Sequence, residues 1–234
     1  MKAVLLAGGY GRRMADAYPA VPKPMIAIGG RPLLWHIMQI YAHYGVQDFI
    51  VCAGFGQQVI HDYFSPGVLP GCHVTVADTG LDTTTAGRIL RVRELLADAP
   101  FFLTYGDGVA DINIQALLDF HQKQQKAATI TVVLETPHFG AVELGETGLV
   151  TAFREKNPLD SRRINGGFMV FEPAIFDYLT PEAALECAPM TSLVQVEQLA
   201  GYAHDGFWQC MDTPQDKQLL EELWNGGNAP WKVW

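Results

Sequence analysis

The first half of the chain alternates short apolar runs with segments of helical periodicity, a pattern that few folds accommodate. Residues 4–7 form an apolar run stopped by Gly8 and Gly9, which reads as a buried strand followed by a glycine loop. Residues 48–53, 74–77 and 101–105 read as three further strands. Between them, residues 32–44 place Leu33, Leu34, Ile37, Ile40, Tyr41 and Tyr44 at helical spacing. Pro32 suits the first helical position there and Gly45 the C-terminal cap. Residues 57–64 and 88–96 read as two more helices. Strands alternating with helices predict an α/β fold with a mostly parallel sheet covered by helices on both faces. Ligands of such sheets bind beyond the carboxyl ends of the strands, where Gly8-Gly9 and Gly106-Asp107-Gly108 both fall. After Thr129 the pattern turns to strands, at 129–135, 140–144, 149–155 and 164–171. Helices resume near Pro173, near Met190 and over 214–224. With no repeat, low-complexity stretch or linker, residues 1–234 read as one domain, a nucleotide-binding part about 1–126 and a substrate-binding lobe about 127–234.

The 234 residues are 49% hydrophobic and 18% charged, enough apolar material for a sizeable core and too much for strong disorder. A net charge of -9 argues against nucleic acid or an anionic membrane as partner, since both demand a basic face. The charge is uneven. Before Pro32 stand Lys2, Arg12, Arg13, Lys23 and Arg31 with only one acid, Asp16, whereas from Phe171 onward the only Lys or Arg are Lys217 and Lys232. A cationic segment in an acidic protein suggests a site for a small anion, although a solvated loop has the same composition. Cys52, Cys72, Cys187 and Cys210 form no CxxC pair and complete no zinc spacing with histidine, so they read as reduced thiols of a cytoplasmic protein. The N-terminal apolar stretch is too short for a signal sequence, and no run approaches the roughly 20 residues of a membrane helix.

Two segments carry chemistry. In LLAGGYGRRM (5–14), glycines after a strand let backbone N–H groups approach phosphate oxygens, and Arg12 and Arg13 add charge. The loop is neither G-x-G-x-x-G nor a Walker A motif, and standing alone it also fits a tight turn. In VPKPM (21–25), prolines on both sides hold Lys23 in a stiff, extended segment, where an exposed loop lysine is the competing reading.

The succession of Leu6-Ala7-Gly8-Gly9-Tyr10-Gly11-Arg12-Arg13 and Pro22-Lys23-Pro24-Met25 resembles the signature of the sugar-phosphate nucleotidyltransferase family. The likeness continues through LTYGDGVADI, FREK, INGGFMVF, GFWQCMDTPQDKQLLEELW and APWKVW, and so spans nearly the whole chain. Within the family it is most similar to members that join CTP to glucose 1-phosphate. The resemblance implies a Rossmann-like nucleotidyltransferase fold with a sugar-binding lobe. Leu6, Ala7, Gly8, Gly9, Gly11 and Arg12 would hold the nucleotide, with Arg13 and Lys23 balancing triphosphate charge. Gly87 and Arg88 would lie near the base and ribose. Asp107 would serve the nucleotide and, with Asp212, hold Mg2+. Gly140, Glu155, Lys156, Asn165, Gly166, Gly167 and Trp208 would hold the sugar phosphate, with Arg13, Lys23 and Lys156 as the catalytic cations. The chemistry needs such a set, because a phosphate monoester is mostly dianionic at pH 7 and needs no general base. Bringing two anions together falls to cations and a metal ion. The bland readings are a turn residue for Asp107, a helix-start residue for Asp212 and a kinked strand for 165–167. His36 and Trp35 read as packing residues, and Trp231 and Trp234 as tail-docking or interface residues of a monomer or homo-oligomer.

Four departures from the family pattern stand out. Arg12 replaces a threonine, Ala86-Gly87-Arg88 replaces Gly-Gly-Arg, Asn157 separates Lys156 from Pro158, and the stretch 64–79 is short. The alternatives are a UTP or dTTP enzyme, another small phosphate acceptor, and a catalytically silent binder of nucleotide-sugar.

Overall fold

The computed structural model describes residues 1–64, 67–135, 140–155 and 162–234. In chain order the elements are β1 (Lys2–Ala7), α1 (Arg12–Ala15), β2 (Ala27–Ile28), β3 (Arg31–Pro32), α2 (Leu33–His43), β4 (Asp48–Ala53), α3 (Gln57–Tyr63) and β5 (His73–Asp78). There follow α4 (Thr85–Arg91), α5 (Arg93–Leu96), β6 (Phe101–Tyr105), β7 (Gly108–Ala110), α6 (Ile114–Gln124), β8 (Ala128–Leu134), β9 (Ala141–Leu144) and β10 (Val150–Arg154). Last come β11 (Arg163–Asn165), β12 (Met169–Phe171), α7 (Ala188–Gln195), β13 (Leu199–His204), β14 (Trp208–Cys210) and α8 (Pro214–Asn225). Single 3-10 turns occupy Lys23–Met25 and Pro173–Asp177.

The central sheet has the order β13-β8-β12-β6-β1-β4-β5, with β11 pairing the far part of β8. Strands β6, β1, β4 and β5 are parallel, as are β8 and β13, while β12 runs antiparallel between β6 and β8. A mostly parallel sheet must be covered on both faces, and β1 shows how its sequence meets that demand. Successive side chains point to opposite faces. Ala3, Leu5 and Ala7 therefore join α2, α3 and α6 in one core, and Val4 and Leu6 join α4, α5 and α7 in the other. Among the described residues, no helix is long and apolar enough to cross a membrane.

Several expectations shift. Pro32 ends β3 and caps α2 from outside rather than opening it, while Gly45 takes the left-handed position after the helix at φ 83°. The expected helix at 88–96 starts at Thr85, where the Thr84 hydroxyl accepts the Gly87 N–H at 3.0 Å, and it breaks at Val92 into α4 and α5. Lys23 opens a 3-10 turn and is not extended, because Pro24 at the second position of the turn suits that geometry. The run 164–171 divides into β11 and β12 where Gly167 and Phe168 adopt φ of 76° and 47°. Helix α6 and strand β13 carried no expectation.

Candidate active site

The carboxyl ends of β1 and β6 are adjacent, with Leu6 paired to Tyr105 and the Gly106 N–H donating to the Leu6 carbonyl at 3.0 Å. The glycine loop and the Gly106-Asp107-Gly108 turn therefore rise side by side. Lys23 is held against them by its prolines. Pro22 fills the space where a Cβ on Gly56 would stand, 2.2 Å from its Cγ, and Pro24 lies beside Gly106. Gly11, at φ 59°, faces Lys23 so closely that a Cβ there would lie 2.8 Å from the lysine Cβ.

Asp212 arrives from far along the chain through a short ribbon. β14 pairs antiparallel with β7, Cys210 opposite Gly108, so Asp107 and Asp212 lie at the same end. The Met211 N–H donates to the Asp107 carbonyl at 2.8 Å. Thr213 caps α8 in a reciprocal box with Asp216, whose carboxylate also accepts the Asp212 N–H at 2.9 Å. The Asp212 backbone is thus fixed before any ligand binds.

The Lys23 ammonium bridges the two carboxylates, donating to Asp107 Oδ2 at 2.8 Å and to Asp212 Oδ1. Arg13 pairs with Asp212 Oδ2 at 2.9 Å. The lysine side chain is 11% exposed. Burial alone would lower its pKa, but the charge of Asp107 and the bonds to both aspartates raise it above the usual value. Asp212 is displaced the other way: burial would raise its pKa, and the Lys23 bond and charge, with Arg13, bring it below the usual carboxylate range. Arg13 is 72% exposed, so its pair adds little stability and leaves the guanidinium accessible to an anion.

These carboxylates suit a hard divalent cation. They offer oxygen ligands around a position where a positive charge already sits. Cys210 Sγ lies within 4.8 Å of the same oxygens, but sulfur is a poor ligand for Mg2+, and burial and the Asp107 charge push the thiol pKa up.

A cleft of about 360 Å³ opens from these residues. Its lining joins Arg13, Asp107 and Asp212 to Asn165, Gly166 and Trp208, together with Tyr105, Glu135 and Glu186. The Trp208 indole donates to the Gly166 carbonyl at 2.8 Å, and the Asn165 carboxamide accepts the Gly167 N–H at 3.0 Å. Tyr105 donates to Glu186 at 2.7 Å, and burial with the Glu186 charge raises its pKa. Glu135, Glu186 and Tyr105 escaped sequence reasoning. Tyr105 immediately precedes Gly106-Asp107, a signal that was readable, whereas nothing local distinguishes Glu186.

The other expected site residues are placed differently. Gly9 is exposed, and Arg12 lies over the Tyr10 ring at 5.7 Å. Gly87 packs against Thr83 and Pro181. Arg88 is 4% exposed, and its guanidinium donates to Gly8, Ala53, Thr79, Gly80 and Leu81. The structure therefore turns the Arg88 guanidinium inward to the scaffold, while the resemblance implied a place near base and ribose. Gly140 and Glu155 flank the exposed β9–β10 ribbon, where a Cβ on Gly140 would lie 2.7 Å from the Glu155 carboxylate, and neither lines the cleft. Lys156 lies outside the described residues.

A parallel sheet whose carboxyl edge joins a glycine loop, two cations and two carboxylates is built to act on a polyphosphate, and the chain belongs to the nucleotidyl transferase family, whose model matches residues 2–209. It is 42% identical to the glucose-1-phosphate cytidylyltransferase of Salmonella typhi, the whole of both chains being covered. Among solved structures it is similar to UDP-glucose pyrophosphorylase complexed with UDP-glucose, with a TM-score of 0.76, 16% identity and 97% and 98% of the two chains covered. The UTP-bound UGPase from Acinetobacter baumannii matches with a TM-score of 0.75 at 18% identity, covering 95% of this chain and 92% of that one. Both structures share the fold.

Proposed function

We propose that the chain transfers the cytidylyl group of CTP to glucose 1-phosphate, giving CDP-glucose and pyrophosphate. The observation that carries the transfer chemistry is the meeting of Arg13, Lys23, Asp107 and Asp212, of which Arg13, Asp107 and Asp212 line the cleft. The choice of CTP and glucose 1-phosphate rests on the full-length relative from Salmonella typhi.

The glycine-loop N–H groups, Arg13 and Lys23 bind the triphosphate and neutralise it. Asp107 and Asp212 would hold a divalent cation, Mg2+, which supplies charge neutralisation at the phosphates and at departing pyrophosphate. Asn165, Gly166, Gly167 and Trp208 receive the sugar, and Glu155 and Lys156 are assigned to the sugar phosphate by resemblance. The sugar phosphate is mostly dianionic at neutral pH, so its oxygen attacks the α-phosphorus without a general base. The α–β bridging bond breaks as the new bond forms, and the electron pair leaves with pyrophosphate. Four free cysteines fit a reducing cytoplasm as the place of action.

Pyrophosphate release should be measured with CTP, UTP, dTTP, ATP and GTP against several sugar 1-phosphates in the presence of Mg2+. CTP with glucose 1-phosphate should give the highest kcat/KM. Another pair at the top would reassign the substrates, and binding of nucleotide-sugar without turnover would make the chain a binding protein.

A further inference from the structure

Arg88 donates through Nη2 to the carbonyls of Gly8 (3.0 Å) and Leu81 (2.9 Å), and through Nη1 to Thr79 Oγ1 (2.7 Å), Gly80 O (2.8 Å) and Ala53 O (3.2 Å). These acceptors stand at the carboxyl ends of β1, β4 and β5, three neighbouring parallel strands. One guanidinium therefore fixes three strand-end loops at once. Among the described residues no carboxylate bonds to or pairs with it. The glycines around it answer to the same group: a Cβ on Gly8 would lie 2.1 Å from Arg88 Nη1, and one on Gly54 would lie 2.8 Å away.

The consequence for the phosphate loop follows from peptide geometry. In a trans peptide the C=O and N–H point in opposite directions. Drawing the Gly8 carbonyl inward to Arg88 turns the Gly9 N–H outward. Among the described residues no protein acceptor takes that N–H, and Gly9 is exposed with open space where a Cβ would stand. The buried cation behind the loop bonds to no carboxylate among the described residues, and although the charge of Asp78 acts on it, it adds to the positive potential in front of the loop.

We propose that Arg88 is a positioning residue for the triphosphate, aiming the Gly9 N–H and biasing the loop's potential without touching the ligand. This rests on the nucleotidyl-transfer reading of the site. The role is specific to phosphates, so it predicts a loss that depends on how many the ligand carries.

Binding of CTP and of CMP should be measured by calorimetry for the native protein, Arg88→Lys and Gly8→Ala, alongside melting temperatures and the KM for glucose 1-phosphate. Lysine keeps the charge and loses the fork, while alanine at 8 pushes the guanidinium aside from the loop. In each folded variant the CTP-over-CMP affinity ratio should fall at least tenfold, and the KM for glucose 1-phosphate should stay within twofold. An unchanged ratio in a folded variant, or an equal loss for both nucleotides, overturns the proposal. If native turnover favours another nucleoside triphosphate, the cytidylyl reading fails separately, and the same ratio is read with that nucleotide and its monophosphate.

Discussion

Asp107 and Asp212 face each other with one ammonium between them, so each carboxylate matters more to the reaction than to folding. Asp107→Asn keeps shape and removes charge. It should lower kcat/KM by about 3 kcal/mol, near a hundredfold, as the loss of one preorganised electrostatic group does. The melting temperature should hardly move, because the Asp107 side chain is 33% exposed. A near-normal rate of pyrophosphate release would place the metal elsewhere. Lys23 links the same pair to pH. The raised Lys23 pKa gives a stabilisation present below 10.5 and lost as pH rises through the folded value. The lowered Asp212 pKa gives one present above 3.8 and lost as pH falls through the folded value. The stability gap between the native protein and Lys23→Met should therefore be flat across neutral pH. It should begin to shrink below pH 3.8 and above pH 10.5, as read by urea denaturation. Residue types and spacing announced Lys23 and Asp107, since a lysine between prolines and an aspartate between glycines at a strand end are local patterns. The inward turn of Arg88 was not legible, because its acceptors come from three separate loops.

The C-terminal helix and tail close over α2, and His36 is the joint. Its Nε2 donates to the Ile28 carbonyl at 2.8 Å, and its Nδ1 accepts the Trp231 indole N–H at 3.4 Å. That arrangement needs the neutral ring, and burial pushes its pKa down to about 4. The folded value lies below the ordinary 6.5, so the stabilisation is present above pH 6.5 and is lost as pH falls toward 4. The loss should reach about 3 kcal/mol. His36→Leu should flatten this part of the pH profile in denaturant titrations followed by tryptophan fluorescence. A native profile flat from pH 7 to 4 would refute the linkage. At this scale the long strands were readable from their apolar runs. Helix α6 was not, because IQALLDFHQKQ mixes apolar residues with polar ones until the sheet selects the face that carries Ile114, Leu117 and His121.

Across the whole molecule, the last residues hold together parts that the catalytic arm needs. Trp231 is fully buried, stacks on Phe207 at 5.6 Å and lies 6.3 Å from Trp224 of α8. Trp231→Ala should cost about 3–5 kcal/mol, the usual penalty for emptying an aromatic site, and should show as a clear fall in melting temperature. An unchanged melting temperature would mean that the tail is undocked in solution. The amino-acid sequence by itself determined the alternation of strands and helices, the glycine loop at a strand end and the residue types of a polyphosphate site. Those depend on periodicity and on backbone freedom within a few residues. Only the tertiary structure decided that Asp212 meets Asp107 across the β7–β14 ribbon, that Lys23 sits between them and that Arg88 serves the loop from behind. Such contacts join residues far apart in the chain, and their geometry follows from strand order and register, which local patterns do not encode.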